Sequence, residues 1–447
     1  MKRLLLLVSF SLLLNASENL SLHQALEILK TQNLEIESAK IDESIAKEDE
    51  KSVSGIEYGT LNFIQDFAHS NDAGNVFGFT LSSREASFGN FGFSEFDGTN
   101  PNILNVQPKD LNYPDDRSYF QSKLKYEVPL FTGFALSNYK DIMSSMRRIK
   151  GLEKEQVINA KSYELRKSYY DMALLDDSIY NLNTIIENIN TLEDMTKSMI
   201  EVGYAKHIDL LEVKAKKGNV KRLLLQMNAN KKLLYHYVSF LLNQKVTAIV
   251  TPSSEIEMPI LSDEEILKNN LDMQKASIAL EIRKDMLELS NAAYYPTLGA
   301  FGELSTADDS FLGDADDHKA YTVGARLTWN IFNGGVDSAK IEKSKLEHIK
   351  MKSQLELARK GIALKLAKIR TEIISADEEI DSLKKELEFA EAIYKNYEGR
   401  YKEKLSSMSD VIIKQSAQIE KVLQLQIAKN RRNAKIFQLE KLANGEK

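Results

Sequence analysis

From Val336 to about Glu403 the chain runs 68 residues without a proline, and glycine occurs only at Gly361 and Gly399. Without those breakers the backbone is free to stay helical. At 1.5 Å per residue such a helix reaches about 100 Å, several times the width of a small domain. Two apolar lines run along it. Leu355, Ile362, Ile369, Ala376, Leu383, Ala390 and Tyr397 form one, and Leu366, Ile373, Ile380, Leu387, Tyr394 and Tyr401 the other. Both repeat every seven residues, a period of 3.5 per turn, which implies supercoiled packing along a seam. A break at Lys404-Leu-Ser-Ser407 is followed by a second helical run to about Leu442, so the segment reads as a coiled-coil hairpin.

The pattern occurs twice. Val128-Pro-Leu-Phe-Thr-Gly-Phe134 resembles Trp329-Asn-Ile-Phe-Asn-Gly-Gly335, and Ile208-Asp-Leu-Leu211 resembles Ser409-Asp-Val-Ile412, both at an offset of 201. Two unconnected matches at one offset leave no net insertion between Val128 and Asp209 relative to Trp329 and Asp410. Leu165, Met172, Ile179, Ile186 and Ile200 carry the second apolar line into the first copy. Glu193 stands where the second copy has Tyr394, and the first hairpin reverses at Gly203-Tyr-Ala-Lys-His207. Asn33-Leu-Glu-Ile36 resembles Asn270-Leu-Asp-Met273 at an offset of 237, which places 36 extra residues of the first copy between Ile36 and Val128. The expected organisation is a signal peptide at 1–17, a first repeat at 18–254 and a second at 255–447. Two copies are a duplication rather than a solenoid.

Each copy opens with a helical stretch, Leu20–Ser52 and Ser262–Ala292, and then the period changes from 3.6 to 2. Phe120, Leu124, Tyr126, Val128 and Leu130 alternate with Tyr119, Gln121, Lys123, Lys125 and Glu127. Tyr321, Val323, Ala325, Leu327, Trp329 and Ile331 alternate with Thr322, Gly324, Arg326, Thr328 and Asn330. These are strands with one apolar side; Ile56–Phe67 and Tyr295–Ser305 are weaker partners. Four strands cannot close a barrel, and an open sheet has adhesive edges. Sharing a barrel between chains resolves this, and strands of about 11 residues suit a membrane barrel. A β-layer buried against helices is the alternative. The loop at 68–117 is rich in Phe and Gly, and is expected outside the cell or in the barrel mouth. The acidic loop Thr306–Asp317, with Asp308, Asp309, Asp314, Asp316 and Asp317, lacks the spacing of an EF-hand and reads as solvated.

Met1-Lys2-Arg3, the apolar run Leu4–Leu14 and the small residues Asn15-Ala16-Ser17 have the layout of a secretory signal peptide, and the run is too short to span a bilayer. The 447 residues contain no cysteine, which excludes disulfides, thiolate nucleophiles, thiolate metal sites and a lipidated N-terminal cysteine. Six histidines lie far apart without metal-ligand spacing. A net charge of −6 gives no reason to expect nucleic acid. No ordered Ser/His/Asp set or Gly-rich phosphate loop suggests an enzyme, and no cofactor or metal is expected.

The chain resembles the TolC-like outer-membrane efflux channel family over nearly all of residues 20–443. The marks are Pro129-Leu-Phe-Thr-Gly133, Ile331-Phe-Asn-Gly-Gly335, Tyr295-Pro-Thr-Leu298, and Val202-Gly203 six residues before Asp209-Leu-Leu211. Pro129, Gly133, Pro296, Gly334 and Gly335 would mark strand–helix junctions. The resemblance implies a mostly helical α and β fold, with long coiled-coil hairpins and four membrane strands per chain. It further implies a homotrimer with a 12-stranded outer-membrane barrel and a helical tunnel across the periplasm. It implies a periplasmic adaptor and an inner-membrane transporter as partners, with outer-membrane lipid around the barrel. The function would be the exit duct of a tripartite efflux pump or type I secretion system. Acidic residues ring the narrow periplasmic entrance in that family, and the motif match puts them at Asp209 and Asp410, with Tyr401 nearby. Ile413 stands where some relatives carry a second Asp, and Ser406 where some use an arginine. A helix N-terminal acid favoured by the dipole is an equal reading of both aspartates. The competing function is a periplasmic coiled-coil adaptor or structural protein without a pore. The sequence does not name the cargo.

Overall fold

The computed structural model describes residues 20–253, 256–311, 313 and 317–444. The expected signal peptide, the junction of the two repeats at 254/255, Asp314 and Asp316 lie outside them. In chain order the elements are α1 (Leu22–Gln32), α2 (Leu34–Gly55), β1 (Thr60–Ser70), α3 (Ala73–Ser82), α4 (Lys109–Asn112), β2 (Arg117–Phe131), α5 (Ala135–Glu201), α6 (His207–Leu241), α7 (Asp263–Asn269), α8 (Leu271–Asn291), β3 (Thr297–Asp308), β4 (Lys319–Thr328), α9 (Val336–Lys402) and α10 (Met408–Leu442). Among the described residues no helix is long and apolar enough to cross a membrane. The chain divides into two compact units, each drawing on both halves of the sequence. One comprises the described residues up to Ser44, Arg148–Ile278 and those from Lys352 on; the other comprises Ile45–Arg147 and Ala279–Met351.

The offset of 201 reappears in the backbone. The long helices α5 and α9 both have 67 residues, the returning helices α6 and α10 both have 35, and all four pairs of ends differ by 201. Backbone positions in the left-handed region follow the same rule: Gly133 and Gly334, Phe134 and Gly335, Gly203 and Lys404, Asn243 and Asn444. Two of these eight, Phe134 and Lys404, are neither Gly nor Asn nor Asp, so the fold imposes the conformation there against some steric cost.

The opening helical stretches are not continuous. Each is cut in two, at Asn33 and Asn270. Both side chains are buried, and both do three things at once. Asn33 Oδ1 accepts from the backbone N–H groups of Glu35 and Ile36 at 3.0 and 3.1 Å, and its Nδ2 donates to the Leu241 carbonyl at 2.8 Å. Asn270 Oδ1 accepts from Asp272 and Met273 at 3.1 Å each, and Nδ2 donates to the Leu442 carbonyl at 2.9 Å. Each asparagine therefore starts one helix and ties down the last residue of another. Around these ties lie two matching apolar cores in the first unit. Leu29, Leu165, Met172, Val238 and Leu241 pack in one, and Ile266, Leu366, Ile373, Leu439 and Leu442 in the other.

On α9 the buried positions Leu366, Ile369, Ile373, Ala376, Ile380, Leu383, Tyr394 and Tyr401 all fall on the two heptad lines. The first copy departs from this. Ile179, Ile186 and Ile200 are only half-buried, and the deep positions beyond Met172 include Leu182, Ile185, Ile189, Leu192 and Thr196. Glu193 is buried on this helix, where Lys217 and Lys197 reach it at 2.7 and 3.2 Å.

The second unit holds one antiparallel sheet in the order β1-β2-β3-β4. The register Leu61–Tyr126–Gly302–Val323 and Phe63–Leu124–Leu304–Tyr321 continues one apolar face across every strand. That face is bare: Tyr321 and Val323 are each 78% exposed. The opposite face carries Asn62, Lys125, Glu303 and Thr322 in one row and Ile64, Lys123, Ser305 and Ala320 in the next, with ion pairs from Lys123 to Asp66 and from Lys125 to Glu127. The reading of β1 began four residues early, because Ile56–Tyr58 is a single 3-10 turn closed by Gly59. Gly59 has φ +72, and a Cβ there would overlap the Glu127 carbonyl, so only glycine lets the chain enter the sheet. Trp329 and Ile331 continue the alternation in sequence but lie beyond the end of β4.

Candidate functional site: the helical hairpin turns

Both hairpins reverse by the same device. After α5, Gly203 N–H donates to the Ile200 carbonyl and Tyr204 N–H to Met199. After α9, Lys404 N–H donates to Tyr401 and Leu405 N–H to Arg400. These are paired helix-terminating bonds around a left-handed residue. Glycine meets the requirement in the first copy. In the second, Lys404 takes the same conformation, and its ammonium lies 3.2 Å from the centre of the Tyr204 ring.

The returning helices then start with acid caps. The Asp209 carboxylate accepts from the Lys206 N–H at 2.7 Å, and the Asp410 carboxylate accepts from the Ser407 hydroxyl at 2.6 Å and the Ser407 N–H at 3.1 Å. The Ser407 hydroxyl in turn accepts from the Asp410 N–H. The Ser407 hydroxyl and N–H hold the Asp410 carboxyl below its ordinary value, with Lys414 and Arg400 adding smaller electrostatic help. Both aspartates are thus N-terminal capping acids, as the dipole argument requires. Asp410 keeps its carboxylate exposed to solvent. One turn beyond Asp209, Glu212 accepts from the Ser409 hydroxyl at 2.8 Å, which brings the two helix starts together.

Tyr401 is buried in the core of this region with Tyr394, Met408, Val411, Leu192 and Val213. Burial pushes its hydroxyl pKa up, and the Asp209 carboxylate adds to it. Ser406 donates to the Tyr397 carbonyl at 3.2 Å, and Ile413 is exposed. Sequence reading did not find a buried polar seam. The Tyr394 and Tyr401 hydroxyls, both amide atoms of Gln415 and the Gln418 carbonyl oxygen have no hydrogen-bond partner, and Gln415 is fully buried. Glutamines at 415 and 418 on an otherwise apolar helix face were the available signal.

The strand–helix junctions lie in the second unit. Gly133 and Gly334 have φ of +63 and +70, and Phe134, with φ +68, packs edge-on against Phe131 and Tyr295. Pro129 sits at an irregularity in the β2–β3 register, where Leu130 is left unpaired. Trp329 donates to the Tyr294 carbonyl at 3.2 Å, just past β4.

A sheet with a bare apolar face, joined to helices of this length, has known counterparts. Residues 264–445 match the family model described as outer membrane efflux protein. No curated protein matches the sequence. Solved structures do. A crystal structure of the transmembrane channel CusC matches with a TM-score of 0.78 at 13% identity, covering 95% of this chain and 92% of that one. The outer membrane protein VceC of Vibrio cholerae matches with a TM-score of 0.76 at 14% identity, covering 95% and 96%. The open state of the Neisseria gonorrhoeae outer membrane channel MtrE matches with a TM-score of 0.74 at 13% identity, covering 95% and 89%. The chain has the fold of the TolC-like outer-membrane channels.

Proposed function

We propose that this chain is one third of an outer-membrane efflux channel. The observation that carries this reading is the sheet: an apolar face open to the surroundings, a charged opposite face, and two unpaired edges, β1 and β4. In water such a sheet would aggregate. In a bilayer the apolar face meets lipid, and pairing β4 of one copy with β1 of the next satisfies the edge groups. Aromatic residues border the apolar face at both ends, with Phe67, Phe120 and Phe311 clustered at one and Trp329, Tyr294 and Tyr295 at the other. This is the girdle pattern of outer-membrane barrels. Three chains give 12 strands, and the helical hairpins continue the duct through the periplasm.

In this reading the protein is exported behind the signal peptide at 1–17, spans the outer membrane, and consists of two duplicated halves, 18–254 and 255–447. It works with a periplasmic adaptor and an inner-membrane transporter, as the exit duct of an efflux pump or of type I secretion. It performs no chemistry; substrates move through it. Asp209 and Asp410 line the narrow periplasmic end, with Tyr401 packed in the core behind them, and three copies make a ring of carboxylates that favours cations. The alternative of a coiled-coil adaptor leaves the bare apolar sheet face without a purpose. Two measurements test the reading. The protein should stay in the membrane pellet through carbonate and high-salt extraction; release into the supernatant refutes the barrel. Asp209→Asn, Asp410→Asn and the Asp209→Asn/Asp410→Asn pair should lower the cation selectivity of the reconstituted channel. An unchanged reversal potential in both single variants and the double variant refutes the carboxylate ring.

A further inference from the structure

Residues 71–116, between β1 and β2, are folded rather than looped out, and they fold onto one particular face of the sheet. In β2, Arg117 and Tyr119 lie on the same side as Gln121, Lys123 and Lys125, the charged side. The ring of Phe79, on α3, stacks on Tyr119 with centroids 4.2 Å apart and an interplanar angle of 12°. Arg117 pairs with Glu85, just past α3. Tyr119 and Ala307, which share that face, are buried beneath it. The rest of the insert is braced on itself. Glu95 accepts from the Asp110 N–H at 2.8 Å, Phe77 packs edge-on against Phe91, and Gly92, with φ +84, lies so close to Pro108 that a Cβ would not fit. The β3–β4 connection does the opposite: Phe311 turns onto Phe67 and Phe120, on the apolar face. The braced insert nevertheless leaves Phe88, Phe93, Phe96, Leu104 and Tyr113 exposed.

We propose that this insert is an inward-folded cap, and that the caps of three chains meet around the barrel axis through Phe88, Phe93 and Phe96, making an aromatic constriction at the outer mouth. The inference rests on the trimeric barrel proposed above. The charged face of the sheet becomes the lumen, so anything packed on it stands inside the mouth, at the strand ends remote from the Gly133 and Gly334 junctions. Lipid cannot cover those rings, because they ride on the face opposite the apolar one. The partner that remains is the same insert of a neighbouring copy, brought to the same axis by strand pairing. Barrels of about 8 strands are filled by their own side chains, and those of about 16–18 leave a wide channel. A 12-stranded barrel lies between, and an insert from each chain narrows it.

The chain has no cysteine, so single replacements give clean probes. Phe88→Cys, Phe93→Cys and Phe96→Cys, each in the purified full-length protein, should form cross-linked dimers on oxidation or with a short bismaleimide. Ser305→Cys, on the charged face, should react slowly with a large membrane-impermeant PEG-maleimide added to intact cells. That rate should rise at least severalfold when residues 73–115 are replaced by a short Gly-Ser linker. Light scattering separates the two levels of the argument. A particle that is not trimeric overturns the channel reading and the cap with it. A trimer that forms no cross-link at any of the three positions overturns the cap alone. If the shortened chain does not assemble, the cross-links still decide, and equal labelling rates in an assembled shortened channel overturn the cap.

Discussion

Replacing Asn33 by alanine should loosen two helices at once, and the geometry sets the size of the effect. The side-chain oxygen caps the N–H groups of Glu35 and Ile36, and the side-chain nitrogen satisfies the buried end of α6 at Leu241. Loss of an N-cap costs about 1 kcal/mol. A buried carbonyl left without a donor costs about 1–3 kcal/mol more. Together these give about 2–4 kcal/mol of local stability, or roughly 30-fold to 1000-fold at about 1.4 kcal/mol per decade. Native-state hydrogen exchange on the assembled protein reads this residue by residue. In Asn33→Ala the amides of Glu35 and Ile36 should exchange at least about fivefold faster, the share of the cap alone, and Leu242 at the end of α6 should follow. Asn33→Asp separates the two roles. It keeps the acceptor, so Glu35 and Ile36 stay protected, but it sets a carboxylate against the Leu241 carbonyl, so the end of α6 loosens. Asn270→Ala should repeat the pattern at Asp272 and Met273. If Asn33→Ala leaves all these rates within twofold, or if Asp and Ala behave alike, the tie does not hold the helices as described.

Three further outcomes follow from individual sites. Gly133→Ala and Gly334→Ala force alanine into the same left-handed backbone, at about 1–2 kcal/mol. Only at Gly133 would the new Cβ also press on the Ala292 carbonyl and Tyr295 Cβ, both at 2.9 Å, so thermal unfolding should fall further for Gly133→Ala; the reverse order contradicts the junction geometry. Gln415→Leu removes a fully buried amide with no partner and should raise the hairpin's resistance to denaturant by about 1–3 kcal/mol; a loss of stability would mean the amide is paired in the assembly. The Glu193 carboxyl is held below its ordinary value, first by the Lys217 ammonium and then by Lys197. Its folded-state pKa is depressed, so its contribution is complete above the unfolded value of 4.5 and disappears as pH falls through the lower folded value. Acid should thus speed exchange in the hairpin of the wild type more than in Glu193→Gln; equal acid sensitivity removes the ion pair from the argument.

Much of the helical architecture was legible because the breakers are sparse. With one proline-free run and a 3.5 period, the limits of α9 and the buried faces of Leu366, Ile373 and Tyr401 could be read directly. The cuts at Asn33 and Asn270 were not, since neither position breaks a helical pattern by propensity. In sequence both asparagines stand out only as a matching motif, and their meaning lies in a bond to a carbonyl 208 or 172 residues away. The entry to β1 was missed for a similar reason: Gly59 acts through its closeness to Glu127, a long-range contact. In the hairpin turns, the capping places of Asp209 and Asp410 were readable from the helix starts. The unpartnered polar groups of Tyr394, Tyr401 and Gln415 were not, because burial of a polar atom depends on which helix lies across from it. The heptad of the first copy failed at Ile179 and Ile186, which are only half-buried while Leu182, Ile185 and Ile189 take the deep positions.

The equal lengths of the paired helices, 67 and 67, 35 and 35, make this protein a ruler with coarse divisions. One residue added to α5 would advance everything beyond it by 1.5 Å and rotate it by about 100°, taking each seam position out of the interface. Reach changes with the seam intact in steps of seven residues, about 10 Å each, made together in α5, α6, α9 and α10. Drift in length is therefore confined to places that carry no register, such as the 71–116 insert and the connection between α6 and α7. A lineage that lengthens or shortens its helices has to jump between discrete sizes, because its two hairpins must change together.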